Sequence, residues 1–173
     1  STIAENIANV RERIARSAAT AARDPAEITL IAVSKTRPAS AIRDAWAAGL
    51  RDFGENYLQE ALEKIETLSE LPLTWHFIGP IQSNKARAVA QNFSWVHTVD
   101  RLKLAERLSA ARPENLQPLQ VCIQVNVSGE RSKSGCHPDA LEELALAVAH
   151  LPRLHLRGLM AIPAPREDYA EQC

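Results

Sequence analysis

Short apolar runs alternate with amphipathic helical stretches along nearly the whole chain, and this beat restricts the fold more than any other feature. The runs lie at 28–35 (ITLIAVSK), 51–56 (RDFGEN), 74–79 (TWHFIG), 95–100 (WVHTVD), 120–128 (QVCIQVNVS) and 154–161 (LHLRGLMA). Between them stand PASAIRDAWAAG, YLQEALEKIETLSE, SNKARAVAQN, RLKLAERLSAA and PDALEELALAVAHL. Strand then helix, repeated, predicts a parallel sheet with right-handed crossovers. A helix over residues 2–20 precedes the beat. Ile3, Ile7, Val10 and Ile14 step by four, three and four, which places one apolar stripe on one face. RDPAE at 23–27 stops it, and Ser83 and Asp100 read as caps of two later helices.

Two architectures carry such a beat: an open doubly wound sheet and a closed (β/α)8 barrel. Central strands of an open sheet read as continuous apolar runs, because helices cover both faces. The run at 120–128 alternates instead, with Val121, Ile123, Val125 and Val127 set against Gln120, Cys122, Gln124 and Asn126. A barrel explains the alternation, since one face meets the helix ring and the other a lumen that turns polar near its mouth. The fold expected is therefore a (β/α)8 barrel. A closed one needs eight strands and about 250 residues, whereas this chain has 173 residues and six runs. We expect one domain over 1–173 with the last two βα units absent, and with its first and sixth strands left as unpaired edges.

Composition bounds the partners. A net charge of −1, with Lys and Arg dispersed, gives no footprint for nucleic acid or an anionic membrane surface. No apolar stretch approaches the roughly 20 residues that span a bilayer, and the amino terminus carries acids where a signal peptide has its apolar core. Cys122, Cys136 and Cys173 form no CxxC pair and read as reduced thiols rather than a zinc or disulfide framework. A cytoplasmic protein is expected, without membrane or nucleic-acid partner.

Ligands of parallel α/β folds sit at the carboxyl ends of the strands. There the sequence puts Lys35, then Gly54, Glu55 and Asn56, then Gln82, Asn84 and Lys85 after Gly79 and Pro80. Asp100, Asn126, Ser128 and Met160 follow. Each also has a plain structural reading. A strand-end lysine is most often a solvated charge, Glu55 could serve the start of the next helix, His76 could be a satisfied core histidine, and Met160 could be packing. Trp46, Trp75 and Trp95 read as packing residues. Chemistry shifts the balance for Lys35, because an amine on a rigid strand, desolvated by apolar neighbours, becomes a nucleophile toward an aldehyde.

In order and spacing, AVSKTRP, FGENYLQE, WHFIGPIQSNK, VHTVD, IQVNVSGERSKSG and LRGLMAIP resemble the pyridoxal-phosphate homeostasis proteins, single-domain relatives of the barrel domain of amino-acid racemases. The resemblance runs from near residue 1 to about residue 165. It implies that Lys35 carries pyridoxal 5′-phosphate as an internal aldimine, that Asn56 lies in the cofactor pocket, and that His76, Asn126 and Met160 line it. It makes Lys133 a second amine near the mouth. It also implies a monomer without established turnover, which carries or buffers the cofactor and supports vitamin B6 and amino-acid homeostasis. The family's phosphate cup, on strands seven and eight, has no counterpart among these residues. The alternative the resemblance leaves open is an amino-acid racemase. Racemisation needs a second acid–base group across the substrate α-carbon, and Tyr57 and Tyr169 are poorly placed for that.

Overall fold

The computed structural model describes residues 1–131 and 134–172. Six parallel strands run in the order β1-β2-β3-β4-β5-β6, each next to its sequence neighbour. The chain divides into two compact units, residues 1–75 and 76–173, with the boundary inside β3.

In the first unit, helix α1 (Ile3–Thr20) opens on a reciprocal cap. The Thr2 hydroxyl accepts from the Glu5 amide at 3.1 Å, and the Glu5 carboxylate accepts from the Thr2 amide at 2.9 Å. A 3-10 turn at Pro25–Glu27, capped by the Asp24 carboxylate, reverses the chain. Strand β1 (Ala32–Val33) is far shorter than the eight residues the sequence predicts, and it pairs in parallel with β2 (Asp52–Glu55) through Ala32↔Phe53 and Val33↔Gly54. Helix α2 (Ala39–Ala47) links them, and α3 (Leu58–Thr67) follows β2. The core of this unit is Ile42, Leu50, Phe53, Ala61 and Leu68. Phe53 lies 6.1 Å from Trp75, at the start of β3 (Thr74–Phe77), ring centre to ring centre.

In the second unit, the end of β3 pairs with β4 (Trp95–Val99), β4 with β5 (Leu119–Gln124) and β5 with β6 (Leu154–Met160). Helices α4 (Ala86–Asn92), α5 (Leu102–Ala111) and α6 (Leu141–Ala149) connect the strands, and α7 (Tyr169–Gln172) is one turn at the far end. Val89, Phe93, Val96, Leu104, Leu108, Leu119, Val121, Ile123 and Val148 are buried. Cys122 and Gln124 are buried with them, so both faces of β5 are covered along the strand, not only the aliphatic one.

Neither predicted cap forms. Helix α4 begins at Ala86, and Ser83 sits in a 3-10 turn (Ser83–Lys85) whose hydroxyl accepts from Arg101 at 3.4 Å. Asp100 spends its carboxylate on Arg101 at 2.9 Å and on the Gly135 amide at 3.3 Å, and α5 starts from Arg101 without a side-chain cap. In both places a neighbouring arginine outcompetes the helix start for the capping oxygen.

The ends of the strand order carry exposed apolar side chains. Val33 on β1 is exposed, and Leu159 on β6 is 61% exposed. Uncovered apolar edges are templates for pairing between chains. Leu159→Lys is therefore expected to lower light scattering of a concentrated 1–173 solution at an unchanged melting temperature. Unchanged scattering would show that β6 is not the aggregating edge.

Candidate functional site

Lysine 64 organises the carboxyl ends of β1 and β2. Its ammonium, 7% exposed, donates three hydrogen bonds of 2.7 Å: to the Ser34 carbonyl, to Glu55 Oε1 and to Glu60 Oε1. Those three bonds saturate the three donors of an ammonium. Glu55, only 1% exposed, accepts from the Ser34 hydroxyl at 2.9 Å through Oε2. Glu60 Oε1 also accepts from the Thr36 amide at 2.5 Å. The bond from Lys64, followed by the Thr36 amide and the Lys64 charge, holds the Glu60 carboxyl below the usual carboxylate value against the opposing pull of desolvation. Glu55 thus belongs to a buried ion pair rather than to the start of α3.

Two of these bonds fall on either side of Lys35. Ser34 keeps one last ladder bond, from its amide to the Gly54 carbonyl at 3.0 Å. Thr36 turns to φ 63°, in the left-handed region that costs a branched residue energy. Lys35 itself is exposed, where apolar neighbours were expected to desolvate it, because β1 ends at Val33 and the chain is already leaving the sheet. Among the described residues its amine makes no hydrogen bond or ion pair. Asn56 follows Glu55 just beyond β2, and its side-chain Oδ1 is buried without a partner. Buried polar atoms are nearly always paired, so an orphan acceptor beside a strand end is a place for a ligand's donor.

The remaining predicted residues belong to the second unit. Nitrogen Nδ1 of His76 lies 2.9 Å from Nε2 of His97, and the His76 ring stacks on Trp95 at 5.4 Å. In register His76 is level with Trp95, the first residue of β4. Burial, with the nearby His76 charge adding to it, pushes the His97 imidazole down to about 4. Met160 ends β6 opposite Gln124, and its carbonyl accepts from the Val125 amide at 2.9 Å. Asn126 works on its own loop, with Nδ2 donating to the Glu130 carbonyl at 2.7 Å and Oδ1 accepting from the Ser128 hydroxyl and the Gly129 amide. That loop closes on Gly135, φ 115°, where a Cβ would stand 2.7 Å from the Asn126 nitrogen. Lys133 lies outside the described residues. Among those described, no group of three or more His, Cys, Asp or Glu could hold a metal ion, and no helix is long and apolar enough to cross a membrane.

The sequence reading passed over Glu60 and Lys64. A signal was present: Ala61, Lys64 and Leu68 step by three and four along α3, and Ala61 and Leu68 are fully buried, so the lysine occupies a core position of the helix.

A parallel α/β sheet with a lysine amine at a strand end defines the class, and residues 1–172 match the family model described as "Alanine racemase, N-terminal domain". The chain belongs to this family, among its pyridoxal phosphate homeostasis proteins. It is 66% identical over 172 residues to the "Pyridoxal phosphate homeostasis protein" of Pseudomonas aeruginosa, covering 99% of this chain and 75% of that one. PipY of Synechococcus elongatus, in a structure with PLP bound, superposes at a TM-score of 0.82 with 41% identity, over 99% of this chain and 74% of that one. Alanine racemase of Corynebacterium glutamicum, at 19% identity, has a TM-score of 0.64 over 92% of this chain and 43% of its own, which places the fold in the racemase N-terminal barrel class.

Two outcomes follow from this geometry. Lys64→Met should lower stability by about 3–5 kcal/mol, because it strands the buried Glu55 carboxylate. Adding Glu55→Leu should recover most of the loss, and urea titration of both variants measures it. Separately, the unfolded chain takes a proton on His97 near 6.5, and the folded chain refuses it until about 4. Stability is therefore complete above pH 6.5 and is lost as pH falls toward 4. His97→Gln should flatten that part of the melting-temperature profile; an unchanged slope would assign it to other groups.

Proposed function

We propose that this chain binds pyridoxal 5′-phosphate through the Lys35 amine and acts as a carrier or buffer of the cofactor, in a monomeric cytoplasmic protein. The observation that carries the reading is an exposed amine, unengaged among the described residues, on a backbone fixed from both sides just past β1, with the orphan Asn56 oxygen just past the paired strand β2. The residues fit the group. When bound, it supplies an aldehyde that condenses with an amine and releases water, and ring substituents that can donate to Asn56. Lys35 presents the nucleophile, and Asn56 orients what binds beside it. His76, Asn126 and Met160 remain candidate contacts through the motifs they share with the family.

A carrier asks nothing more of the protein. Racemisation asks for a second acid–base group, and the described tyrosines do not support that reading: Tyr57, the residue before α3, is 54% exposed, and Tyr169 is 81% exposed on α7. The relatives' names, homeostasis proteins rather than racemases at the higher identities, support the same side.

Lys35→Ala should abolish the visible absorbance band formed with sub-saturating pyridoxal 5′-phosphate and leave borohydride label only at the level of exposed surface lysines such as Lys103. Its stability should stay within about 0.5 kcal/mol of the parent, as for other exposed positions. Reductive label found mainly on Lys85 or Lys133 of the parent chain would overturn the assignment, and formation of D-amino acids from L-amino acids would replace the carrier with an enzyme.

A further inference from the structure

We propose that Glu60 and Lys64, on α3, are positioning residues for the Lys35 amine, replacing with side-chain bonds the backbone ladder that β1 lacks. The proposal rests on the reading of Lys35 as the cofactor amine. Strand β1 contributes two residues, and its pairing with β2 stops at the Ser34 amide. A chain released there would carry Lys35 on a mobile backbone, and a lysine stem already has four flexible carbons. Instead the Ser34 carbonyl is held by the Lys64 ammonium, together with the turn amide of Arg37 at 3.1 Å, and the Thr36 amide is held by the Glu60 carboxylate. Glu60 and Lys64 are one helical turn apart and bonded to each other, so both ends of the Ser34–Thr36 segment hang from one rigid helix.

A purely structural role would explain Lys64 and Glu55, which form the buried pair. It explains Glu60 only in part, as the partner of the third Lys64 donor. It does not explain why the same oxygen of this 30% exposed side chain also takes the Thr36 amide. The charge-assisted bond to the Thr36 amide fixes the plane of the Lys35–Thr36 peptide, and the bonds to the Ser34 carbonyl fix that of the Ser34–Lys35 peptide. These two planes flank the Lys35 Cα and set the direction in which its side chain leaves the backbone. The residue between the two held peptides, and so the residue the clamp aims, is Lys35.

The test uses the whole chain and the graded series wild type, Glu60→Gln and Glu60→Ala. Glutamine keeps an acceptor and loses the charge; alanine loses both. In the protein without added aldehyde, hydrogen exchange at the Thr36 amide should accelerate by about tenfold or more in the alanine variant, the worth of one bond to a charged acceptor. The glutamine variant should fall between the two. Each protein is then treated with sub-saturating pyridoxal 5′-phosphate, reduced with borohydride and digested. The label on Lys35 is measured relative to that on Lys103, an exposed lysine of α5. The Lys35 to Lys103 ratio should fall in the same order, by about tenfold at alanine. General loosening of the fold would expose the lysines alike and leave the ratio level. A level ratio across the series, with Lys35 carrying most of the label in wild type, would overturn the positioning role and leave the cofactor reading standing. Label mainly on other lysines in wild type would overturn the cofactor reading itself. If the alanine variant does not fold, wild type against glutamine decides by the same ratio.

Discussion

The ion pair between Lys64 and Glu55 is the interaction on which the rest of the candidate site depends. Burying two charges costs several kcal/mol per ion, and a well-packed apolar pair in the same volume is often as stable or more so. Stability alone therefore does not account for it. The pair accomplishes what an apolar pair cannot, because its spare donors and acceptors reach the chain around them. After meeting Glu55, Lys64 has two donors left for Ser34 and Glu60; after meeting Lys64, Glu55 has an oxygen left for the Ser34 hydroxyl. A charge too expensive to leave unpaired thus becomes a junction between β1, β2 and α3.

The carboxyl ends of β5 and β6 are arranged differently. There the backbone does the positioning. Val125 donates to Met160, the amides and carbonyls of Gln124, Asn126 and Cys136 interlock, and Gly135 admits the close approach that any Cβ would block. Two sequence-predicted polar residues of the second unit meet local partners: His76 meets His97 against Trp95, and Asn126 bonds within its own loop. Burial raises both the Cys122 and the Cys136 thiols, so neither is set up as a nucleophile. Lys35, by contrast, joins an amine to open access on a backbone held from both sides.

Much of this was legible before any coordinates. The strand–helix beat locates every strand within a few residues, because parallel crossovers impose their period on the sequence. Lys35 stands at the first strand end, as the motif requires. Strand lengths were not legible: ITLIAVSK is eight residues of strand-like composition, yet only Ala32 and Val33 pair, since pairing depends on where β2 begins and composition does not record that. Nor was it legible that Ser83 and Asp100 would not cap their helices, since their oxygens go to Arg101, a partner that local propensity cannot see. Glu60 was missed for a related reason. An i,i+4 acid–lysine pair on a helix usually means a solvated surface pair, and only the burial of Ala61 and Leu68 beside it marks Lys64 as interior.

The exposure of Lys35 also bears on what the proposed site can be for. Condensation of an amine with an aldehyde releases water, and the reverse step consumes it. A catalytic site gains by closing over such a group, since excluding water strengthens its electrostatics and prevents premature release. A carrier gains by the opposite arrangement, because loading and unloading are both its function and both need water at the amine. Selectivity must then come from somewhere other than enclosure. Fixing the backbone on both sides of an open lysine supplies it: the amine remains reachable by solvent while its direction is set. On that view the clamp and the exposure are two parts of one solution, and a substitution that buried Lys35 would be as harmful to carriage as one that freed it.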